Sequence, residues 1–217
     1  MNLSRIFRRS VRPVALSLDP QLRREIRQSF DEAASDEEHF PSTIDPRILH
    51  VQVLLRFFAP IGNKRLLDVG CGKGRYARVL LEQNNAARVT GFDISERMLN
   101  CVPPGIGKVS GIMTELPFAD SSFDGVYATE SLEHAVDIEL AVVEMCRILR
   151  PGGKLAIIDK NAEQWGRLKT PAWERWFSRR ELENLLSCYC RIVRSEPISY
   201  WDDEKPEGLF FVWYAEK

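Results

Sequence analysis

Three observations predict an α/β fold built on a mostly parallel sheet. From Arg65 onward short apolar runs alternate with helical stretches. The first run, "LLDVGCGKGRYARVL" (66–80), goes through a glycine-rich turn directly into a helical pattern. The last two runs, 190–200 and 208–215, are too close in sequence for a crossover, so they pair antiparallel. The expectation is a seven-stranded sheet with helices on both faces, its last strand antiparallel, and a helical cap at the N-terminus.

The chain of 217 residues is long enough for one sizeable α/β domain with a small appendage. We place the cap at 1–60 and the main domain at 61–217. In the cap, Asp19-Pro20 supplies an N-cap and a proline at the first helical position. Leu18, Leu22, Ile26 and Phe30 then recur at helical spacing. "FPSTIDP" is a loop, and 47–58 is a second helix with Leu49, Val53, Leu54 and Phe57 on one side. In the main domain the pattern predicts strands at 65–69, 88–92, 108–112, 123–128 and 154–159. Helices fall at 74–83, 95–101 and 138–149. "PGG" (151–153) stops the third of these helices and turns into the next strand. Ser178 and Glu181 form a capping box for a last helix.

Hydrophobic residues make up 44% of the chain and charged residues 28%, and the net charge is −1, so no global field recruits nucleic acid or a membrane. No apolar run approaches the roughly 18 residues of a membrane span. The first 30 residues hold seven arginines but no apolar leader core, so no secretory signal is expected. Leu3, Ile6, Phe7 and Val14 at helical spacing, broken by Pro13, allow peripheral membrane contact as one reading and an entry helix over the site as the other. The five cysteines include no C-x-x-C pair, and Cys188-Tyr-Cys190 is read as incidental spacing at a strand edge. A reducing, cytoplasmic setting is expected.

Gly70, Gly72 and Gly74 lie between strand and helix, where glycine lets the backbone turn sharply and a ligand lie against it. The loop has neither the G-K-[ST] of a P-loop nor a strict G-x-G-x-x-G. Asp68, at the end of the first strand, would repel a pyrophosphate and favour a ligand carrying positive charge. Asp93 ends the second strand, where an acid accepts hydrogen bonds from both ribose hydroxyls. S-adenosylmethionine, with an ammonium, a sulfonium and no phosphate, meets both conditions.

With "LPFADSSFD" (116–124) and "LRPGG" (149–153), the chain resembles the class I S-adenosylmethionine-dependent methyltransferases of the small-molecule type, over about residues 50–217. The resemblance implies a Rossmann-like fold. It implies Asp68, Gly70 and Gly72 around the methionine portion of the cofactor, Asp93 on the ribose, Ile94 and Met98 against the adenine, and Thr129 by the methionine end. Many relatives carry an acid before "LPF" that accepts from the adenine amine. Here "GIMTELPF" has Ile112 at that place, which leaves the adenine to packing and backbone near Met113 and Thr114.

On the acceptor side, "ATESLEHAVD" (128–137) contains Glu130, Glu133 and His134 as E-x-x-E-H. This resembles ubiquinone-pathway O-methyltransferases, and small-RNA 2′-O-methyltransferases share the spacing. There the trio holds a divalent ion such as Mg²⁺ on the acceptor oxygen. Two other readings stand beside it: His134 as a general base, or a structural role for the motif. The segment "DKNAEQWGRLKTPAWERWF" (159–177) reads as an acceptor-side lid within 158–180, its Trp165, Trp173, Trp176 and Phe177 either lining the acceptor pocket or packing on the domain. The expected partner is a small organic acceptor methylated at oxygen or nitrogen, with no nucleic acid. An RNA-directed methyltransferase and a catalytically silent cofactor-binding scaffold are the alternatives.

Overall fold

The computed structural model describes residues 19–84 and 86–217. The arginine-rich start, with Leu3, Ile6, Phe7, Val14 and Leu18, lies outside the described residues. Seven strands form one sheet: β1 (Arg65–Val69), β2 (Arg88–Asp93), β3 (Gly107–Ser110), β4 (Phe123–Thr129), β5 (Leu149–Lys160), β6 (Ile192–Ile198) and β7 (Phe210–Glu216). Their order is β3-β2-β1-β4-β5-β7-β6. The first five strands pair in parallel, and β7 runs antiparallel between β5 and β6. Strand order reverses between β1 and β4, and the crevice beyond the carboxyl ends of strands at such a reversal is where open α/β sheets bind ligands.

Alternation along the strands feeds two cores. Leu67, Val69, Val126 and Ala128 face one side, where α5 (Ile138–Ile148) and α6 (Arg179–Ser187) contribute Met145, Ile148, Leu182 and Leu186. Leu66 and Tyr127 face the other, against Val51, Leu54 and Phe58 of α2 (Leu49–Phe58) and Tyr76, Ala77 and Leu80 of α3 (Arg75–Gln83). Burial on both faces is why the strands read as continuous apolar runs.

The caps follow the local sequence. Asp19 accepts from the Gln21 amide at the start of α1 (Pro20–Ala33), and Ser95 caps α4 (Glu96–Cys101). Ser178 and Glu181 complete their capping box on α6. "PGG" behaves differently from the expected stop and turn. β5 already begins at Leu149, which pairs with Phe123, and the register then jumps to Gly125 opposite Lys154. The extra residues form a bulge in which Gly152 takes φ +74° and donates its amide to the Lys217 carbonyl at 2.8 Å. Among the described residues no helix is long and apolar enough to cross a membrane.

Candidate cofactor and acceptor site

A cavity of about 350 Å³ opens at the strand-order reversal. Its floor is the glycine loop. Gly70 takes φ +73°, and a Cβ there would stand 2.4 Å from the Ser131 Cβ, so only glycine lets the loop lie this close to the end of β4. The Gly70 and Cys71 amides both donate to the Phe92 carbonyl, at 2.7 and 3.1 Å. Asp93 fixes the loop from the β2 side: its Oδ2 accepts from the Gly72 amide at 2.7 Å and its Oδ1 from the Ser95 amide at 2.8 Å. Burial raises its pKa. Each carboxylate oxygen keeps a further lone pair for a ligand in the cavity.

Gly70, Gly72, Asp93, Ile94, Met98, Met113, Thr114 and Thr129 all line this cavity. The Thr114 and Thr129 hydroxyls are buried and unpartnered. Ile112, at the place of the missing acid, is also on the wall. Two expected residues are not. Gly74 turns the chain into α3 at φ +77°, a left-handed N-cap set away from the wall. Asp68 is 2% exposed and lies beneath the loop beside Tyr127, and neither its Oδ2 nor the Tyr127 hydroxyl completes a hydrogen bond. Burial pushes its pKa up to about 7, against the pull of Tyr127 and Arg75. Asp68 is thus buried under the loop and does not line the cavity.

Glu130 follows β4 with φ +52°, a conformation rare for a side chain with a Cβ, and this turns its carboxylate away from the strand. It accepts from the hydroxyls of Tyr76 (3.0 Å) and Tyr200 (2.8 Å) and from Arg75 (3.3 Å), with His50 Nδ1 at 3.5 Å. Burial pushes its pKa up, but the His50 ring, the Arg75 charge and Tyr200 more than reverse this and hold it at about 2.

Glu133 and His134 lie on the 3-10 turn Leu132–His134 and take a different direction. Glu133 pairs with Lys160, which also donates to Glu174 at 3.2 Å. His134 Nε2 lies 3.5 Å from Glu133, and its Nδ1 lies 3.8 Å from Glu174. Glu133, His134 and Glu174 therefore cluster, with ligand atoms within 4.8 Å of one another, whereas the sequence pattern grouped Glu130 with the first two. Burial lowers the His134 pKa against the pull of Glu133 and Glu174. Burial also raises Glu133 and its neighbour Asp159, and the Asp159 charge raises Glu133 further.

Of the four lid aromatics only Trp173 lines the cavity. Trp176 and Phe177 are buried in the domain, and Trp165 is 56% exposed. The opposite wall comes from α1 and the loop after it, through Ile26, Phe30, Phe40 and Pro41. Two links hold this wall down, one on the loop and one on α1. Lys73, 3% exposed, donates to the Asp36 carbonyl (3.1 Å) and to Glu37 (2.6 Å). Asp31 accepts from the Ser95 hydroxyl at 2.6 Å. Sequence reading missed Arg75, Glu174 and this wall. A cation directly after the third glycine was a usable signal for Arg75. Glu174 sits 40 residues from His134, so nothing local marked it.

Known proteins resemble this chain in sequence and fold. Residues 67–157 match the family model described as a methyltransferase domain. An O-methyltransferase of Aspergillus nomiae, rstn1, is 38% identical over 108 residues, which cover 46% of this chain and 48% of that protein. The methyltransferase GfsG of Streptomyces halstedii is 34% identical over 162 residues, covering 63% and 58%. The chain thus spans about half the length of the curated relatives it matches. The methyltransferase in a Haloferax volcanii complex with the Trm112 activator superposes with a TM-score of 0.71 at 19% identity, over 88% of this chain and 96% of that one. Over residues 67–157 the chain is therefore similar to methyltransferase domains, and it shares the fold of the matched structures.

Proposed function

We propose that the protein transfers a methyl group from S-adenosylmethionine to a hydroxyl oxygen of a small organic acceptor, with His134 as general base. One continuous cavity carries this reading, because the same walls hold Asp93 and the glycine loop at one end and His134 at the other. The names of the curated relatives support oxygen as the atom methylated.

The cofactor supplies an activated methyl on a sulfonium. Asp93 accepts from the ribose hydroxyls. Ile94, Met98 and Met113 enclose the adenine with Thr114, and Gly70, Gly72 and Thr129 border the methionine portion. Asp68 balances the guest's positive charge from beneath the loop. Arg75, its pKa raised by Tyr76 and Glu130 against burial, lies on the same wall as a partner for a carboxylate. The protein's main work is alignment and exclusion of water, which Phe30, Phe40 and Trp173 perform around the acceptor. His134, kept neutral by burial, takes the hydroxyl proton, and Glu133 and Glu174 stabilise the imidazolium that results. The 158–180 segment acts as the acceptor-side lid through Lys160, Pro171, Trp173 and Glu174, and the described part of the cap, residues 19–60, closes the other side.

The test is methyl transfer from labelled S-adenosylmethionine to a panel of phenols and aliphatic alcohols, together with calorimetry of S-adenosylhomocysteine binding. Binding and transfer to at least one hydroxyl are expected. Binding without transfer to any acceptor in a cell extract would leave a silent scaffold, and absence of binding would overturn the reading altogether.

A further inference from the structure

The E-x-x-E-H resemblance implies a divalent ion, and the residues present do not fit one. Glu130 is engaged by Arg75, Tyr76 and Tyr200. Of the motif, Glu133 and His134 remain, joined by Glu174 from the lid. That trio has a ligand set's composition, but a cation already stands against it. The Lys160 ammonium, fixed at the end of β5, donates to both Glu133 and Glu174, beside the His134 ring. It also lies 5.6 Å above the ring of Trp176, whose indole N–H donates to Glu174 at 2.6 Å. An ion at the trio would have to share the same two carboxylates with that charge at close range, where like charges repel strongly.

Building on the proposed reading, we infer that Lys160 is the built-in cation of the acceptor chamber: its ammonium takes the place of a divalent ion between Glu133 and Glu174 and positions the acceptor oxygen by His134. An ammonium carries three N–H donors. Two are spent on Glu133 and Glu174, and the third is available to the cavity that Lys160 lines. A neutral acceptor suits this arrangement. Glu133, Glu174 and Asp159 already surround the lysine with acidic groups, so little positive field is left to hold an acceptor that is itself a carboxylate. The substrate class is therefore a neutral hydroxyl compound with an oxygen for Lys160 to hold, and Lys160 is a positioning residue.

The experiment combines Mn²⁺ binding, followed by electron paramagnetic resonance, with methyl transfer in EDTA, on the wild-type protein, Lys160→Ala and Lys160→Arg. Wild-type protein is expected to bind no Mn²⁺ at micromolar concentration and to keep its rate in EDTA. Lys160→Ala is expected to lose at least about tenfold in kcat/KM and to bind Mn²⁺ at least about tenfold tighter than wild type. Lys160→Arg, which keeps the charge, is expected to stay blind to Mn²⁺ and to recover part of the lost rate. Loss of wild-type activity in EDTA with recovery on added Mg²⁺ would overturn the inference. So would Mn²⁺ binding by wild type as tight as by Lys160→Ala, or an arginine variant no better than alanine. The wild-type arms do not depend on whether either variant folds. The Mn²⁺ arm needs no turnover, so it reports on Lys160 even if the methyl-transfer reading fails.

Discussion

Asp68 gives the sharpest prediction, because its cost is written in the folded state. Folded, its carboxyl holds a proton up to about pH 7, against 3.8 for an ordinary aspartate. Between those values the folded state binds the extra proton, so stability falls as pH rises through the window and levels off above it. Each pH unit of the gap is worth ~1.4 kcal/mol, so the charge costs about 4 kcal/mol near pH 8 and about 1.5 kcal/mol near pH 5. Asp68→Asn keeps the shape and removes the titration. Urea unfolding of the ligand-free protein should show the variant gaining on wild type by more near pH 8 than near pH 5, by about 2.5 kcal/mol. Packing changes from the substitution do not depend on pH and cancel in that comparison. An equal difference at the two pH values would refute the reasoning. The same variant should bind S-adenosylhomocysteine more weakly, which would mark the carboxyl as held for function against stability.

Asp93→Ala removes the proposed ribose acceptor and the partner of the Gly72 and Ser95 amides, and calorimetry should show S-adenosylhomocysteine affinity falling by about 100-fold. Unchanged affinity would remove Asp93 from the ribose. For His134, whose pKa lies below the ordinary 6.5, kcat/KM should rise with pH through that lowered value and then stay flat. His134→Ala should lose that acid limb along with about 100-fold or more in rate, and a variant that keeps the limb would exclude the base role. Glu37→Ala breaks the exposed end of the link to Lys73, and stopped-flow measurement should show S-adenosylhomocysteine leaving about two to five times faster. An unchanged off-rate would mean that the loop after α1 does not retain the ligand.

The centre of the sheet was legible because β1, β4, β5 and β7 are buried on both faces over most of their length, which writes them as apolar runs cut by glycine and polar turns. The capping box at Ser178 and the N-cap at Asp19 were legible for the same local reason, since a cap is decided within four residues. Where local signals ran out, the expectation drifted. "PGG" looked like a helix stop and turn, but its actual conformation is set by the Lys217 backbone pairing with Gly152 and Gly153, more than 60 residues away. The lid aromatics looked equivalent in sequence. Packing separated them, because Phe177 meets Trp213 in the core while Trp173 turns to the cavity.

The E-x-x-E-H stretch shows the same limit at the level of chemistry. One of the three readings, the one the resemblance implied, had three ligands converging on one point. The backbone decides otherwise: Glu130 sits at a left-handed turn after β4, and the 3-10 turn that follows carries Glu133 and His134 off in another direction. The first carboxylate pairs with Arg75, and the second pairs with Lys160. Each buried acid has acquired its own cation from a different element, α3 for one and β5 for the other. That division places a guanidinium and an ammonium on the walls of one cavity without leaving either acid uncompensated, which burial would otherwise make costly. The motif therefore reads as two separate ion pairs on the walls of one cavity, and charge-swapping across either pair should disturb its own end of the cavity and spare the other.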